Sequence, residues 1–206
     1  VGNSRWLHEQ QEERMRPQTG RAVLLTSGHV VRDYAALWAD GTGHAAMVMS
    51  TEGRTVVGHS YYAHVDGCTR AGVPFGLVHY ARPDLRPAGA RDEARHFRQI
   101  CSGVNAELGL WLDFEERCVS PGQWCREWLA AGGSDCLYTA PTYVRRGKVD
   151  PKLWRAVWLA GHAPWIVTMR GEGWRVTIHQ QPTKINHPLV VSQTGRPRTT
   201  CEEIWI

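Results

Sequence analysis

The chain has 206 residues, 42% hydrophobic and 21% charged, with a net charge of +4. That balance fits one folded domain able to bury a sizeable core. No run approaches the roughly 18 consecutive apolar residues of a membrane span, and no charged-then-apolar start resembles a signal peptide. The chain begins at Val1, which leaves a processed N-terminus open. The mild positive charge suits weak attraction to anionic polymers. The basic residues form no aromatic-interleaved stripe, so no nucleic-acid partner is expected.

Residues 1 to 20 are polar and rich in Arg, Glu and Gln, and read as an arm ahead of a fold that occupies 21 to 206. Strand-like and helix-like segments then alternate. Ala22 to Thr26 is a short apolar run, Arg32 to Ala39 has helical spacing, and Ala45 to Ser50 is a second strand. A helix over Ser60 to Ala71 leads to a strand at Phe75 to Tyr80 and then to a Pro/Gly loop. Ala90 to Val104 is a strong helix with apolar positions at Ala94, Phe97, Ile100 and Cys101, followed by a strand over Leu108 to Phe114. Gln123 to Ala131 is helical, Ser134 to Thr139 is a strand, and Pro151 to Leu153 opens a short helical piece. Further strands are expected at Trp154 to Leu159, Trp165 to Met169 and Arg175 to Gln180. So many strand–helix units with short connections argue for an α/β fold with a closed or nearly closed parallel barrel.

Six cysteines (Cys68, Cys101, Cys118, Cys125, Cys136 and Cys201) show neither CxxC pairs nor ligand spacing with His, so no metal is expected. Three disulfides and six buried thiols both stay open; Cys118 and Cys125, which bracket a short loop, are the simplest pair to bridge. Ten tryptophans are many for this length. Core packing is one use for Trp154, Trp158, Trp165 and Trp174, and stacking on sugar rings is another.

The stretch GLWLDFEE, residues 109 to 116, places Asp113 and Glu115 two residues apart. On a strand they share one face, about 6 to 7 Å apart. At the carboxyl end of a barrel strand such a pair suits glycoside cleavage. One carboxyl, Glu115, is kept protonated to act as the acid, and Asp113 supplies the neighbouring charge. On the local pattern alone a second reading stands beside this one. Asp113 then caps a loop or pairs with an Arg, and Glu115 and Glu116 open a solvated turn.

The longer pattern resembles the glycoside hydrolase family 25 lysozymes, the muramidases of bacteria and their phages. TEGRT at 51 to 55 and YYAHVDGCTRAGVPFGLVHYARP at 61 to 83 are similar to the family's second strand, helix and G-x-Y-H-F-x-R-P-like third strand. LWLDFEE matches its L-D-x-E strand, CLYTAPTYV at 136 to 144 its Y-T-x-x-x-Y/W segment, and LWRAVW at 153 to 158 its LW-x-A-x-Y strand. The resemblance implies an irregular TIM-like β/α barrel and hydrolysis of the β-1,4 bond between N-acetylmuramic acid and N-acetylglucosamine. It also implies Glu115 as general acid with Asp113 beside it, and no metal or organic cofactor. His79, Glu52, Tyr138 and Trp154 fall in the matched segments and are the candidate substrate-binding residues. His29 is a further candidate.

The departures are specific. The family's Asp-Val-Ser falls on Leu25-Thr26-Ser27, which puts Leu25 where an acid is expected. Its E-G-x-x-x-x-D-P becomes EGRTVVGH at 52 to 59, its W-Q-Y-T is matched loosely by His179 to Pro182, and its later acidic stretch becomes Pro188 to Ser192. The aromatic before the third-strand His is Val78. On this alignment two of four carboxylates are missing and Leu25 narrows the cleft. The expected function is therefore engagement of cell-wall peptidoglycan with muramidase activity weakened or lost. An active muramidase and a phage assembly module anchored through residues 1 to 20 are the alternatives. The composition suits an actinobacterium or its phage, and the expected place of action is the cell wall, the cell exterior or a virion.

Overall fold

The computed structural model describes the backbone of residues 21–39, 44–83, 89–160, 176–185, 190–192 and 201–205, and the side chains of 22–37, 45–83 and 89–160. The expected arm at 1 to 20 and the strand at Trp165 to Met169 lie outside the described residues. The strands are β1 Arg21–Leu25, β2 His29–Val31, β3 His44–Glu52, β4 Val56–Val57, β5 Phe75–Tyr80, β6 Leu110–Phe114, β7 Cys136–Thr139, β8 Ala156–Leu159, β9 Val176–Ile185, β10 Val190–Ser192 and β11 Cys201–Trp205. The helices are α1 Tyr34–Ala39, α2 Tyr61–Ala71, α3 Gly89–Ile100, α4 Pro121–Ala130 and α5 Pro141–Arg145, with a 3-10 turn at Pro151–Leu153.

Strands β1, β3, β5, β6, β7, β8 and β9 run parallel in that order. β11 is antiparallel to both β9 and β1 and closes the ring between them. The result is an α/β barrel made irregular by one reversed strand. Short pairs β3–β4 and β2–β10 decorate it. Antiparallel β11 was not expected, because CEEIW carries no alternating apolar pattern to announce a strand.

Strand alternation sorts the core into two layers. Ala22, Ala45, Met47, Val78, Trp111, Cys136, Tyr138, Ala156 and Trp158, all strand residues, pack together inside the ring. Val23, Leu25, Val48, Leu77, Leu112, Phe114, Leu137 and Val157 point the other way and meet helix residues such as Leu37, Tyr61, Phe97, Trp124 and Trp128. The expectation that Leu25 narrows the cleft is corrected by this parity. Leu25 is fully buried under the helices, and the inward positions of β1 are Ala22 and Leu24.

The helix-facing layer is stitched by aromatic contacts. His79 stacks on Trp128 at 4.9 Å, Trp128 on Trp124 at 5.7 Å, and Trp124 meets Phe114 at 5.1 Å. The Trp128 indole N–H donates to the backbone oxygen of Ser134, which satisfies it at the foot of the layer. A methyl at Gly133 would intrude on the Trp128 ring, which the stack prevents from moving. Gly133→Ala should therefore destabilise the fold by about 1–3 kcal/mol, the usual penalty of overpacking. Urea unfolding of the variant beside Gly72→Ala tests it. Gly72 has no atom close to an added methyl but carries φ +68°, so its variant isolates backbone strain from collision.

Two buried histidines link stability to pH. Burial holds the His79 and His64 imidazoles below the ordinary range, against the opposing pull of Glu93 on His79 and of the Thr26 carbonyl on His64. A folded state that takes up protons less readily than the unfolded chain, whose histidines titrate near ~6.5, is undisturbed above that pH and loses stability below it. Asp135, held down by Arg155, adds stability that is fully present above the ordinary carboxylate range and is lost only as pH falls below it, outside this window. Stability should thus stay flat from pH 8 to about 6.5 and fall towards pH 5. In His79→Gln the fall should be shallower, so the gap to the wild type narrows on acidification. Urea midpoints at pH 8, 6.5 and 5 measure this, and parallel slopes in the two proteins would refute it.

Candidate active site

The site forms where the parallel strands end. Register places Glu52 beside Tyr80, Tyr80 beside Asp113, Asp113 beside Tyr138, and Tyr138 beside Trp158. Adjacent strands lie ~4.8 Å apart, so these five residues form one row at the carboxyl rim of the lumen. Glu52 reaches the row only because β3 shifts register between Met49 and Thr51. The extra residue, Ser50, is buried and donates its hydroxyl to the Val78 carbonyl at 2.8 Å. Without that bulge the alternation begun at Met47 and Met49 would turn Glu52 towards the helices.

Asp113 is 8% exposed and sits between two tyrosines in the row. Tyr138 packs edge-on against Trp158 at 4.4 Å, and Trp158 against Trp111 at 6.1 Å, so the row has an aromatic floor. Glu115 is exposed one residue beyond β6, followed by the half-buried Glu116. Tyr80 donates its hydroxyl to Glu116 Oε1 at 2.6 Å. Burial raises the Tyr80 phenol pKa, and the hydrogen bond to Glu116 with the charges of Glu116, Asp113 and Glu115 raises it further. The phenol is therefore a permanent donor facing three carboxylates.

The loop bearing the glutamates is clamped from α5. The Tyr143 hydroxyl donates to the carbonyls of Glu115 and Glu116, at 3.2 and 2.6 Å. Its ring stands edge-on to Phe114 at 5.6 Å, with Lys148 Nζ 5.4 Å from its centre. On the other side of the row, Glu52 Oε1 accepts from Arg82 Nη1 at 2.7 Å, and the Glu52 side chain remains 40% exposed. The Arg82 backbone N–H donates to Glu93 Oε2 at 3.0 Å.

Of the residues singled out in the sequence, Glu52, Asp113 and Tyr138 meet in the row, with Glu115 immediately above. His79 and Trp154 do not. His79 is 0% exposed and faces the helices, bonded to Thr51 Oγ1 at 2.8 Å and Glu93 Oε2 at 3.0 Å. With Nε2–H donating to the carboxylate, Nδ1 is left to accept the Thr51 hydroxyl. Trp154 is buried in the same helix-facing layer. His29 Nδ1 accepts the Thr26 N–H at 3.0 Å within a tight turn. Tyr80, Glu116 and Arg82 were missed, whereas Trp158, one of the four tryptophans given both core packing and sugar stacking as uses, ends the row. Tyr80 lies two residues after Val78, on the same strand face, and that spacing was the available signal.

The five cysteines with described side chains are free thiols, so Cys118 and Cys125 are not bridged. Among the described residues no group of three His, Cys, Asp or Glu could hold a metal, and no helix is long and apolar enough to cross a membrane. A groove of about 1090 Å³ lined by Arg91, Arg95, Arg98 and the C-terminal ends of α3 and α4 opens away from the carboxyl rim. It shares no residue with the row.

No curated protein sequence matches the chain. Solved structures do. A lysozyme from Streptomyces coelicolor is 15% identical with a TM-score of 0.68, covering 92% of both chains. A glycosyl hydrolase 25 of Streptococcus pneumoniae, described as a virulence factor participating in host cell invasion, is 15% identical with a TM-score of 0.67. That match covers 97% of this chain and 92% of the other. The CTP1L endolysin is 14% identical with a TM-score of 0.67; the match covers 91% of this chain and 66% of the endolysin. These likenesses establish the fold, an irregular β/α barrel of the family 25 lysozyme type. The family model for glycosyl hydrolases family 25 matches residues 27–180, well over half of the chain, and the protein belongs to that family.

Proposed function

We propose that this domain acts at the bacterial cell wall. It binds glycan strands of peptidoglycan across the carboxyl rim and hydrolyses the β-1,4 bond between N-acetylmuramic acid and N-acetylglucosamine, at a reduced rate. The observation that carries this is the row in which Asp113 stands between Tyr80 and Tyr138, with Glu115 exposed one residue past the end of β6. A modular autolysin of Streptococcus pneumoniae with the same fold is described in complex with a synthetic peptidoglycan ligand, at 11% identity and a TM-score of 0.67. The chain covers 46% of that protein, so the likeness concerns this domain alone.

In this reading Glu115 gives its proton to the glycosidic oxygen as the bond to the anomeric carbon breaks. Asp113 steadies the positive charge that develops on the sugar side. Water then adds to the anomeric carbon and returns a proton to Glu115, which balances the hydrolysis. Tyr138 and Trp158 offer flat faces against which a pyranose can pack. The reduced rate follows from β1, whose inward residues Ala22 and Leu24 bring no acid to the centre. Removing one such charge-stabilising group slows an enzyme by roughly a hundredfold to a thousandfold. The same feature favours a second reading, in which the groove recognises wall glycan without turning it over. The assembly role for residues 1 to 20 finds no support among the relatives.

Release of reducing ends from purified peptidoglycan separates the readings. Glu115→Gln should lower turnover by about 10²–10⁴-fold, the usual contribution of a general acid. Asp113→Asn should lower it by roughly 10²–10³-fold. Both variants should still sediment with wall fragments. Wild-type protein that sediments with the wall but releases no ends would support recognition alone. Turnover undiminished in Glu115→Gln would remove Glu115 from the mechanism.

A further inference from the structure

The amino end of the barrel carries a concentration of positive charge that the row does not use. Arg91, Arg95 and Arg98 stand at positions i, i+4 and i+7 of α3, so they share one helix face over about 10 Å. They form one wall of the groove of about 1090 Å³, and Ala130, Ala131 and Gly132, at and just past the end of α4, form the other. An added methyl at Gly132 would meet no atom within 4 Å, so the space beside this wall is open. No carboxylate and no aromatic ring lines the groove. A second groove of about 430 Å³ shares Arg98 and Gly132 and reaches Gly109, Ser134 and Arg155, which precede β6, β7 and β8. The charged wall therefore lies at the opposite end of the strands from Asp113.

Helix stability does not account for the three arginines. Arg98 lies in the last turn of α3, where a cation is favourable, but Arg91 lies in the first turn, where the helix dipole favours an acid. Arg91 and Arg95 are also like charges four residues apart, which weakens a helix. Asp92 meets Arg95 at 3.0 Å, with side chains 47% and 75% exposed, and an exposed pair of this kind holds its members weakly. Asp135, in the second groove, is matched by Arg155 at 2.8 Å and offsets nothing on α3.

We infer that this groove is a second binding site, for a wall polymer whose repeats are joined by phosphodiesters. The wall setting rests on the proposed function, whereas the charge arrangement does not depend on the row. A guanidinium meets a phosphate through two parallel N–H donors, and three along one face suit an anion repeated along a chain better than a single ion. A phosphodiester keeps its charge at every working pH. A single-stranded nucleic acid stacks its bases on aromatic side chains, which this lining lacks. Held at the amino end, the polymer leaves the carboxyl rim open to glycan.

Binding of the full chain to labelled poly(glycerol phosphate), followed by fluorescence anisotropy at rising salt, tests the site without needing activity. Affinity should fall with a log–log slope of about −2, at roughly 0.7 per phosphate contact. The triple variant Arg91→Gln, Arg95→Gln, Arg98→Gln should bind roughly 10–100-fold more weakly, the loss of three exposed charge contacts, with a flattened slope. Ala130→Glu keeps the arginines and adds an acid to the facing wall, and it should also weaken binding, by about tenfold. Intact wall fragments should retain the wild type better than the triple variant, and fragments stripped of phosphodiesters by cold hydrofluoric acid should retain the two alike. No binding by the wild type, or equal affinity in all three proteins with unchanged melting temperatures, would overturn the proposal. Equal binding of polyglutamate or duplex DNA would overturn it too, by reducing the groove to unselective charge. Selective polymer binding by a wild type that releases no reducing ends would support this site while refuting hydrolysis at the row.

Discussion

The structure depends most on the buried polar chain that fastens β3, β5 and α3 together behind the rim. Thr51 bonds to His79, His79 to Glu93, Glu93 to the Arg82 backbone, and the Arg82 side chain to Glu52. Glu93 and His79 are almost wholly buried, so each must have its partners or the fold bears several kcal/mol of unmet desolvation, on the order of 1–3 per group. Satisfied, the chain does two things. It docks α3 on the sheet at one register, and it sets the position of Arg82, which in turn holds Glu52 in the row. The stack of Trp128 on His79 excludes water from that chain, which strengthens its hydrogen bonds and raises the penalty for breaking any of them.

This arrangement explains why His79 looked like a site residue. It lies on the strand next to Asp113, in a segment resembling the family's third strand, and a histidine beside acids suggests chemistry. Parity decides otherwise, since Val78 and Tyr80 take the inward positions and His79 takes the outward one. The same alternation moved Leu25 out of the cleft. What the sequence made legible was the alternation of strands and helices, the barrel, and the D-x-E strand. An apolar run ending in acids has few other homes, and its period of two fixes which acid faces inward. Less legible was anything that depended on one extra residue. The bulge at Ser50 brings Glu52 into the row, and a serine inside AAMVMSTE gives no sign that two residues there oppose one across the sheet. β11 was illegible for another reason. Its pairing is antiparallel and long-range, made with β1 at the far end of the chain, so no local period could reveal it.

The two layers divide the work of the fold. The lumen below the row is filled by small and medium side chains, Ala22, Ala45, Met47 and Ala156, with Trp111 occupying the space they leave. The outer layer carries most of the aromatic mass, through Phe97, Phe114, Trp124 and Trp128. Trp154, offered by its sequence as a sugar platform, belongs to that outer layer. The lumen tryptophan, Trp158, is the one whose register partner, Tyr138, stands next to Asp113.

A rim carrying Glu52, Asp113, Glu115 and Glu116 is an unfavourable thing to fold, because like charges gathered in a partly dry place repel and resist desolvation. The described residues show how two of them are managed. Glu52 has the guanidinium of Arg82, and Glu116 has the phenol of Tyr80, a neutral donor that steadies an anion without cancelling its charge. The difference matters for chemistry. A guanidinium cancels the charge of the carboxylate it holds, whereas a phenol does not. Tyr143 clamps the loop through its carbonyls, which fixes the backbone and so the positions from which the carboxylates project. Rigidity is therefore supplied by neutral tyrosines, and reactivity is left to the carboxylates they surround.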